Sequence, residues 1–285
     1  MALQTAVRSK KLTAKQYTLS YEDKTLIMGI LNVTPDSFSD GGKYNSIDRA
    51  VIHAKQMIED GAHILDIGGE STRPGAEKVS LDEELSRVIP VIEKLVQEID
   101  VPISVDTYKA KVADEALKAG ATIINDVWGA KADHDMARVA AAHNVPIILM
   151  HNREERNYKD LIPDMLSDLM ECVSIAKSAG VQDHHIVLDP GIGFAKTYHD
   201  NLAVMNQLEK FSELGYPVLL GTSRKKFIGR VLDLPPEERA EGTGATVCLG
   251  IQKGCDIVRV HDVKQISRMA KMMDAMIDKG GVYHR

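Results

Sequence analysis

One unit recurs eight times along this chain: a short apolar run, a polar turn, and then a stretch with helical periodicity. The first copy is the plainest. Met28–Leu31 is apolar and uncharged, which suits a strand buried on both faces, and Asn32 follows where that strand should end. Residues 33–42 mix Thr, Pro, Asp, Ser and Gly, so they predict a loop. A helix is expected over about Ile47–Asp60, with Val51, Ala54, Met57 and Ile58 on one face and Gly61 as its stop.

The other seven predicted strands are His63–Ile67, Pro102–Val105, Thr122–Ile124, Pro146–Met150, His185–Leu188, Pro217–Leu220 and Asp256–Val260. The predicted helices between and after them are Leu81–Glu98, Lys109–Lys118, Met136–Ala142, Leu161–Ala179, His199–Leu214, Lys226–Leu232, Glu238–Lys253 and Val263–Lys279. Pro90 falls inside the first of these, where a proline bends a helix. Strict alternation of short strand and helix predicts a parallel sheet. Eight such units predict an α/β fold, a (β/α)8 TIM barrel of one domain, and 285 residues suit that size. The expected division is 1–25 as an N-terminal extension or barrel-end cap and 26–285 as the barrel. A doubly wound open sheet is the alternative, but G-x-G-x-x-G and G-x-x-x-x-G-K-[ST] are both missing.

Composition narrows the function classes. A net charge of −6 argues against nonspecific nucleic-acid binding. Cys172, Cys248 and Cys255 are odd in number and lack CxxC spacing, which suits a reducing compartment. No apolar run approaches the roughly 20 residues of a membrane span, and no signal-peptide pattern follows Lys10 and Lys11. The expected location is cytoplasmic.

Polar residues gather where the strands end: Asn32, Asp66, Asp106, Asn125, His151, Asp189, Lys225, Arg259 and His261. In a barrel those ends form one rim, where such enzymes keep their active sites. Strand-ending caps and turns are the plain alternative for any one of them. Three sub-sites follow from charge. Asp106, Asn125 and Asp189 offer acceptors and one amide, and buried carboxylates need donors. A flat heterocycle with adjacent N–H groups, such as a 2-amino-4-oxo pterin, supplies them. Lys225 would meet its oxo edge, or else form a structural ion pair with an aspartate. Asn32, Arg73, Arg259 and His261 suit a diphosphate. Asn32 equally suits Mg2+, which takes a few oxygen ligands beside diphosphate and water. Arg259 also fits the role of a core arginine paired with an aspartate. Ser223–Lys226 precedes a helix and suits a carboxylate, or is a solvated basic turn. His151 and His261 find no third zinc ligand at matching spacing.

The segments MGILNVTPDSFSDGG, DIGGESTRPGA, ISVDTYK, INDVWG, DPGIGFAK, GTSRKKFIG and VRVHDV, in this order, closely resemble the signatures of the dihydropteroate synthase family. That resemblance implies condensation of 6-hydroxymethyl-7,8-dihydropterin diphosphate with p-aminobenzoate. It implies Asp106, Asn125, Met150, Asp189, Lys225 and Arg259 as pterin-binding residues, with Arg259 against the ring face. Asn32, Arg73, Arg259 and His261 would bind diphosphate, and Asn32 its Mg2+. Phe38, Thr72, Arg73, Pro74, Phe194, Lys225 and Lys226 would frame p-aminobenzoate. Asp106 with Asp40 would stabilise a pterin cation, with Lys225 and Arg259 completing the catalytic set. Loops 33–42 and 71–79 would close over both substrates, and a homodimer is implied. The chain departs from the family pattern at Ala195, where many members have glycine, and at Lys226, where some have serine. The rival readings are a pterin-binding methyltransferase domain using methyltetrahydrofolate and a corrinoid partner, and a non-catalytic paralogue.

Overall fold

The structure is a computed structural model that describes residues 10–34, 43–71 and 78–281. Eight parallel strands form its centre: β3 (Leu26–Asn32), β4 (Ile64–Gly68), β5 (Ile103–Asp106), β6 (Ile123–Asp126), β7 (Ile147–Met150), β8 (Ile186–Asp189), β9 (Leu219–Leu220) and β10 (Ile257–Val260). Neighbours run in the order β8-β7-β6-β5-β4-β3-β10-β9. The ring closes between its ends through a parallel bridge, Leu188 to Val218, with Leu188 N–H donating to Pro217 O at 2.9 Å. This is a (β/α)8 barrel.

Helices wrap the ring: α1 (Lys43–Glu59), α2 (Leu81–Glu98), α3 (Ala110–Ala119), α4 (Met136–His143), α5 (Leu161–Ser178), α6 (Tyr198–Asn206), α7 (Glu209–Ser212), α8 (Lys226–Leu232), α9 (Ala240–Gln252) and α10 (Val263–Met276). The strands are buried on both faces, so each reads as apolar rather than alternating. Positions such as Leu65, Ile67, Val105 and Leu149 face the helices and join Val88, Ile92, Leu95 and Leu169 in the outer core. α2 starts at Ser80, whose hydroxyl accepts from Glu83 N–H, and runs on through Pro90. The single helix expected over His199–Leu214 is two, α6 and α7. The break turns both Leu208 and Phe211 fully into the core.

Before the barrel lies an antiparallel hairpin, β1 (Lys11–Ala14) and β2 (Tyr17–Ser20), paired from Lys11–Ser20 to Ala14–Tyr17. Leu12, Ala14 and Tyr21 are buried against Leu26, Met28, Ile64, Ile123, Ile148, Val187, Leu219 and Ile257, the inward residues at the strands' N-terminal ends. Lys15 Nζ fastens the hairpin to Leu117 O and Ala121 O at 3.0 and 2.9 Å. The foot of the barrel is thereby stopped.

Candidate active site

Side chains alternate along a strand, so the inward row can be followed upward from that stopped foot. Ile64 leads to Asp66, Ser104 to Asp106, Ile123 to Asn125, Ile148 to Met150, Val187 to Asp189, and Ile257 to Arg259. Apart from Ser104 below and Met150 above, the row changes from apolar to polar halfway up. Asp66, Asp106, Asn125, Met150 and Asp189 are all buried there. Alternation also separates neighbours in sequence. Asp126 points away from the lumen, and its carboxylate accepts from Trp128 N–H at 2.8 Å and Ala130 N–H at 2.7 Å.

Arg259 spans the lumen. Its Nε donates to Asp66 Oδ2 and its Nη2 to Asp106 Oδ2, both at 2.6 Å. Asn125 Nδ2 donates to the same Asp66 oxygen at 3.1 Å. Arg259 is thus joined to the acidic floor, where sequence reading also grouped it with Arg73, Asn32 and His261. Asp66 was named only as a strand-end residue, yet it is the hub of this floor. Its signal was a lone acid inside the apolar run HILDIG. Asp106 Oδ1 is buried with no hydrogen-bond partner among the described residues. A buried acceptor left so is costly unless a donor comes to it.

Lys225 stands across from these acids. Its ammonium donates to Ile192 O and lies 4.4 Å from the centre of the Phe194 ring. It makes no ion pair with a carboxylate among the described residues. Asp189 Oδ1 accepts from Gly191 N–H at 2.7 Å, which ties the acid to the turn that carries Ile192 and Phe194.

Burial pushes the Asp106 carboxyl up to about 7, with Asp66 adding to the shift and Arg259 opposing it. Burial also raises Asp189, against the pull of Lys225. Lys225 is brought down to about 8 by burial, with Asp189 opposing. Burial works against the charge of Arg259, yet Asp66 and Asp106 hold it more firmly protonated than usual. With all groups ionised, three acids face two bases, so this floor favours a developing positive charge.

At the rim, Asn32 is half-buried at the end of β3. His261 Nδ1 is 2.9 Å from Ser223 Oγ, and its backbone N–H donates to the same oxygen. Lys226 is exposed at the start of α8. Arg224 is taken up by Asp262, with contacts of 3.0 and 2.5 Å. Phe38, Asp40, Thr72, Arg73 and Pro74 lie outside the described residues. A groove of about 1370 Å3 opens beside Phe194, lined also by Tyr108, Trp128, Lys131 and Arg153. Another cavity, of about 540 Å3, lies far from these side chains, at the foot, between Thr25, His63 and Asp274.

Among the described residues no three His, Cys, Asp or Glu side chains gather as a metal cage. Asn32 brings one hard oxygen to the rim, a donor set that fits Mg2+ only in partnership with a substrate's phosphate oxygens and water.

Residues 28–261 match the model of the family described as "Pterin binding enzyme". The chain is 77% identical over 284 residues to dihydropteroate synthase of Bacillus subtilis, spanning the whole of both proteins. It is 60% identical to that of Clostridium beijerinckii, over 94% of this chain and 99% of the other. Among solved structures, dihydropteroate synthase from Clostridium difficile in the presence of pteroic acid superposes with a TM-score of 0.89 at 54% identity, covering 90% of this chain and 98% of that one. The Xanthomonas albilineans enzyme with 4-aminobenzoic acid gives 0.90 at 41%, covering 94% and 98%. An inward ring of acids, amide and cations on a (β/α)8 barrel, matched along its whole length by these relatives, makes this chain a member of the pterin-binding enzymes and, within them, of the dihydropteroate synthases.

Proposed function

We infer that this chain condenses 6-hydroxymethyl-7,8-dihydropterin diphosphate with p-aminobenzoate, giving 7,8-dihydropteroate and diphosphate. The unpartnered Asp106 Oδ1, beside Asn125 and Asp189, carries the placement of the pterin: buried acceptors on one wall suit the N–H edge of a flat 2-amino-4-oxo ring. Lys225 takes the oxo side, Met150 supplies an apolar contact, and Arg259 holds the ring against the floor. The reacting carbon projects toward the rim, and Asn32, Arg73, Arg259 and His261 receive the diphosphate. Asn32 would hold Mg2+ together with phosphate oxygens and water, and the ion would supply charge neutralisation for the leaving group.

The C–O bond to diphosphate breaks first, and positive charge spreads over the pterin methylene. Asp106, with Asp40, stabilises that charge. The arylamine nitrogen then attacks the methylene and gives up a proton. Phe38, Thr72, Arg73, Pro74, Phe194, Lys225 and Lys226 frame p-aminobenzoate, with Phe194 backed by Lys225. No side-chain nucleophile is required. α10 exposes Met272 and Met276, with Ile277 just after it, and α8 exposes Val231 and Leu232, apolar surface that suits pairing of two copies into a homodimer. Cys172, Cys248 and Cys255 form no disulfide, which suits work in the cytoplasm, and no described helix is long and apolar enough to cross a membrane.

The test is release of diphosphate from the pterin ester with and without p-aminobenzoate. Release coupled to formation of 7,8-dihydropteroate is expected. Methyl transfer from methyltetrahydrofolate, or pterin binding without turnover, would overturn this reading.

A further inference from the structure

A second polar cluster lies behind the pterin wall. His151 directly follows β7 on the outward side of the alternation, buried between α5 and the turn after β8. Its Nε2 is 3.0 Å from Asp168 Oδ2 on α5, and Arg153 Nε donates to that same oxygen at 2.6 Å. A carboxylate can only accept, so the histidine proton sits on Nε2 and Nδ1 is left as an acceptor. Lys196 Nζ lies 3.1 Å from that Nδ1. It also donates to Gly191 O and Phe194 O, each at 3.0 Å. Three acceptors thus meet the three donors of one buried ammonium.

Those carbonyls belong to the turn that holds Lys225. Four of its carbonyls are taken by side chains: Gly191 and Phe194 by Lys196, Ile192 by Lys225, and Ala195 by Tyr158 Oη at 2.9 Å. Gly191 and Gly193 adopt φ of +66° and +86°, so the turn has an unusual shape that needs fixing from outside. We propose that Lys196, oriented by the His151–Asp168 pair, is a positioning residue for the pterin subsite, setting the 190–195 turn and through it the Lys225 ammonium. Burial brings Lys196 down to about 7 and His151 down to about 3, so the two do not compete as cations. The proposal rests on Lys225 being a pterin ligand.

A double-mutant cycle tests it, with 6-hydroxymethylpterin fluorescence as the readout and thermal melting alongside. Lys225→Met should raise the Kd about tenfold or more. Lys196→Met should raise it about tenfold in the otherwise unaltered chain and less than about twofold in the Lys225→Met background. Equal losses in both backgrounds, or no loss in either, would overturn the role of Lys196. An unchanged Kd for Lys225→Met would remove the pterin reading of Lys225 itself, and this proposal with it. Should Lys196→Met not fold, Asp168→Asn carries the same cycle. It acts on the tautomer of His151 from a partly exposed position, and the same coupling to Lys225→Met is expected or the proposal falls.

Discussion

Arg259 Nη2 lies 2.6 Å from one oxygen of Asp106, and the other oxygen of that carboxylate is buried without a partner among the described residues. One oxygen of the acid is therefore committed to the fold and the other is left as an unused acceptor. Asp66 gathers both Arg259 and Asn125 on a single oxygen, and its other oxygen is likewise buried without a partner among the described residues.

Asp106→Asn should lower turnover by about 10²–10³-fold, because a neutral amide cannot stabilise charge on the pterin methylene. Arg259 keeps Asp66, so the stability loss should stay within about 1–2 kcal/mol. Diphosphate release and urea unfolding measure the two effects, and near-normal turnover would remove Asp106 from the mechanism.

Asp66→Ala should act the other way round. It strips Arg259 and Asn125 of a shared buried acceptor, at a cost of about 3 kcal/mol or more. Urea unfolding should show this loss to be clearly greater than for Asp106→Asn.

The pH dependence follows from the same acid. Its carboxyl moves from the ordinary 3.8 to about 7 on folding. Between those values the folded chain keeps a proton that the unfolded chain has released, so stability falls as pH rises from about 4 to about 7. That fall should be smaller in Asp106→Asn. The proposed mechanism requires the ionised acid and the Lys225 ammonium, which is lost from about 8. The profile of kcat/KM should therefore be a narrow bell with its optimum between pH 7 and 8, and the acid limb should vanish in Asp106→Asn.

Gly193→Ala should damage the site through Lys225. The glycine has φ +86°, and an added Cβ would stand 2.8 Å from Lys225 Cδ. Gly215→Ala is the matched control, since Gly215 has the same φ and nothing within 4 Å of a Cβ. Both should lose about 1–2 kcal/mol of stability. Only Gly193→Ala should also weaken pterin binding, by about tenfold in a fluorescence titration.

The barrel was legible because its strands are buried on both faces and punctuated by Gly, Pro, Asn and Asp. Most strand ends fall within a residue or two of where the apolar runs stop, as at Ile103–Asp106 and Ile257–Val260. The seventh strand is the exception: only Leu219–Leu220 pairs as strand, although Val218 makes the closing bridge. Of the site, Asp106, Asn125, Asp189 and Arg259 could be read because they stand where the apolar runs end, in segments such as ISVDTYK, INDVWG, DPGIGFAK and VRVHDV. What those positions could not tell is which partner each would find. Arg259 meets Asp66 across 193 residues of sequence, a pairing that only ring closure creates. Lys196 was less legible still. A lysine after a glycine-rich turn reads as solvated, and nothing local says that His151 and two carbonyls will enclose it.

The hairpin of Leu12, Ala14 and Tyr21 turns the barrel into a blind well. Whatever reaches Asp106 must come down past Asn32 and His261, and must go back the same way. Seated as proposed, the pterin would lie deepest and would have to arrive before the amine above it. The finished product would then withdraw only once the upper part of the shaft is clear.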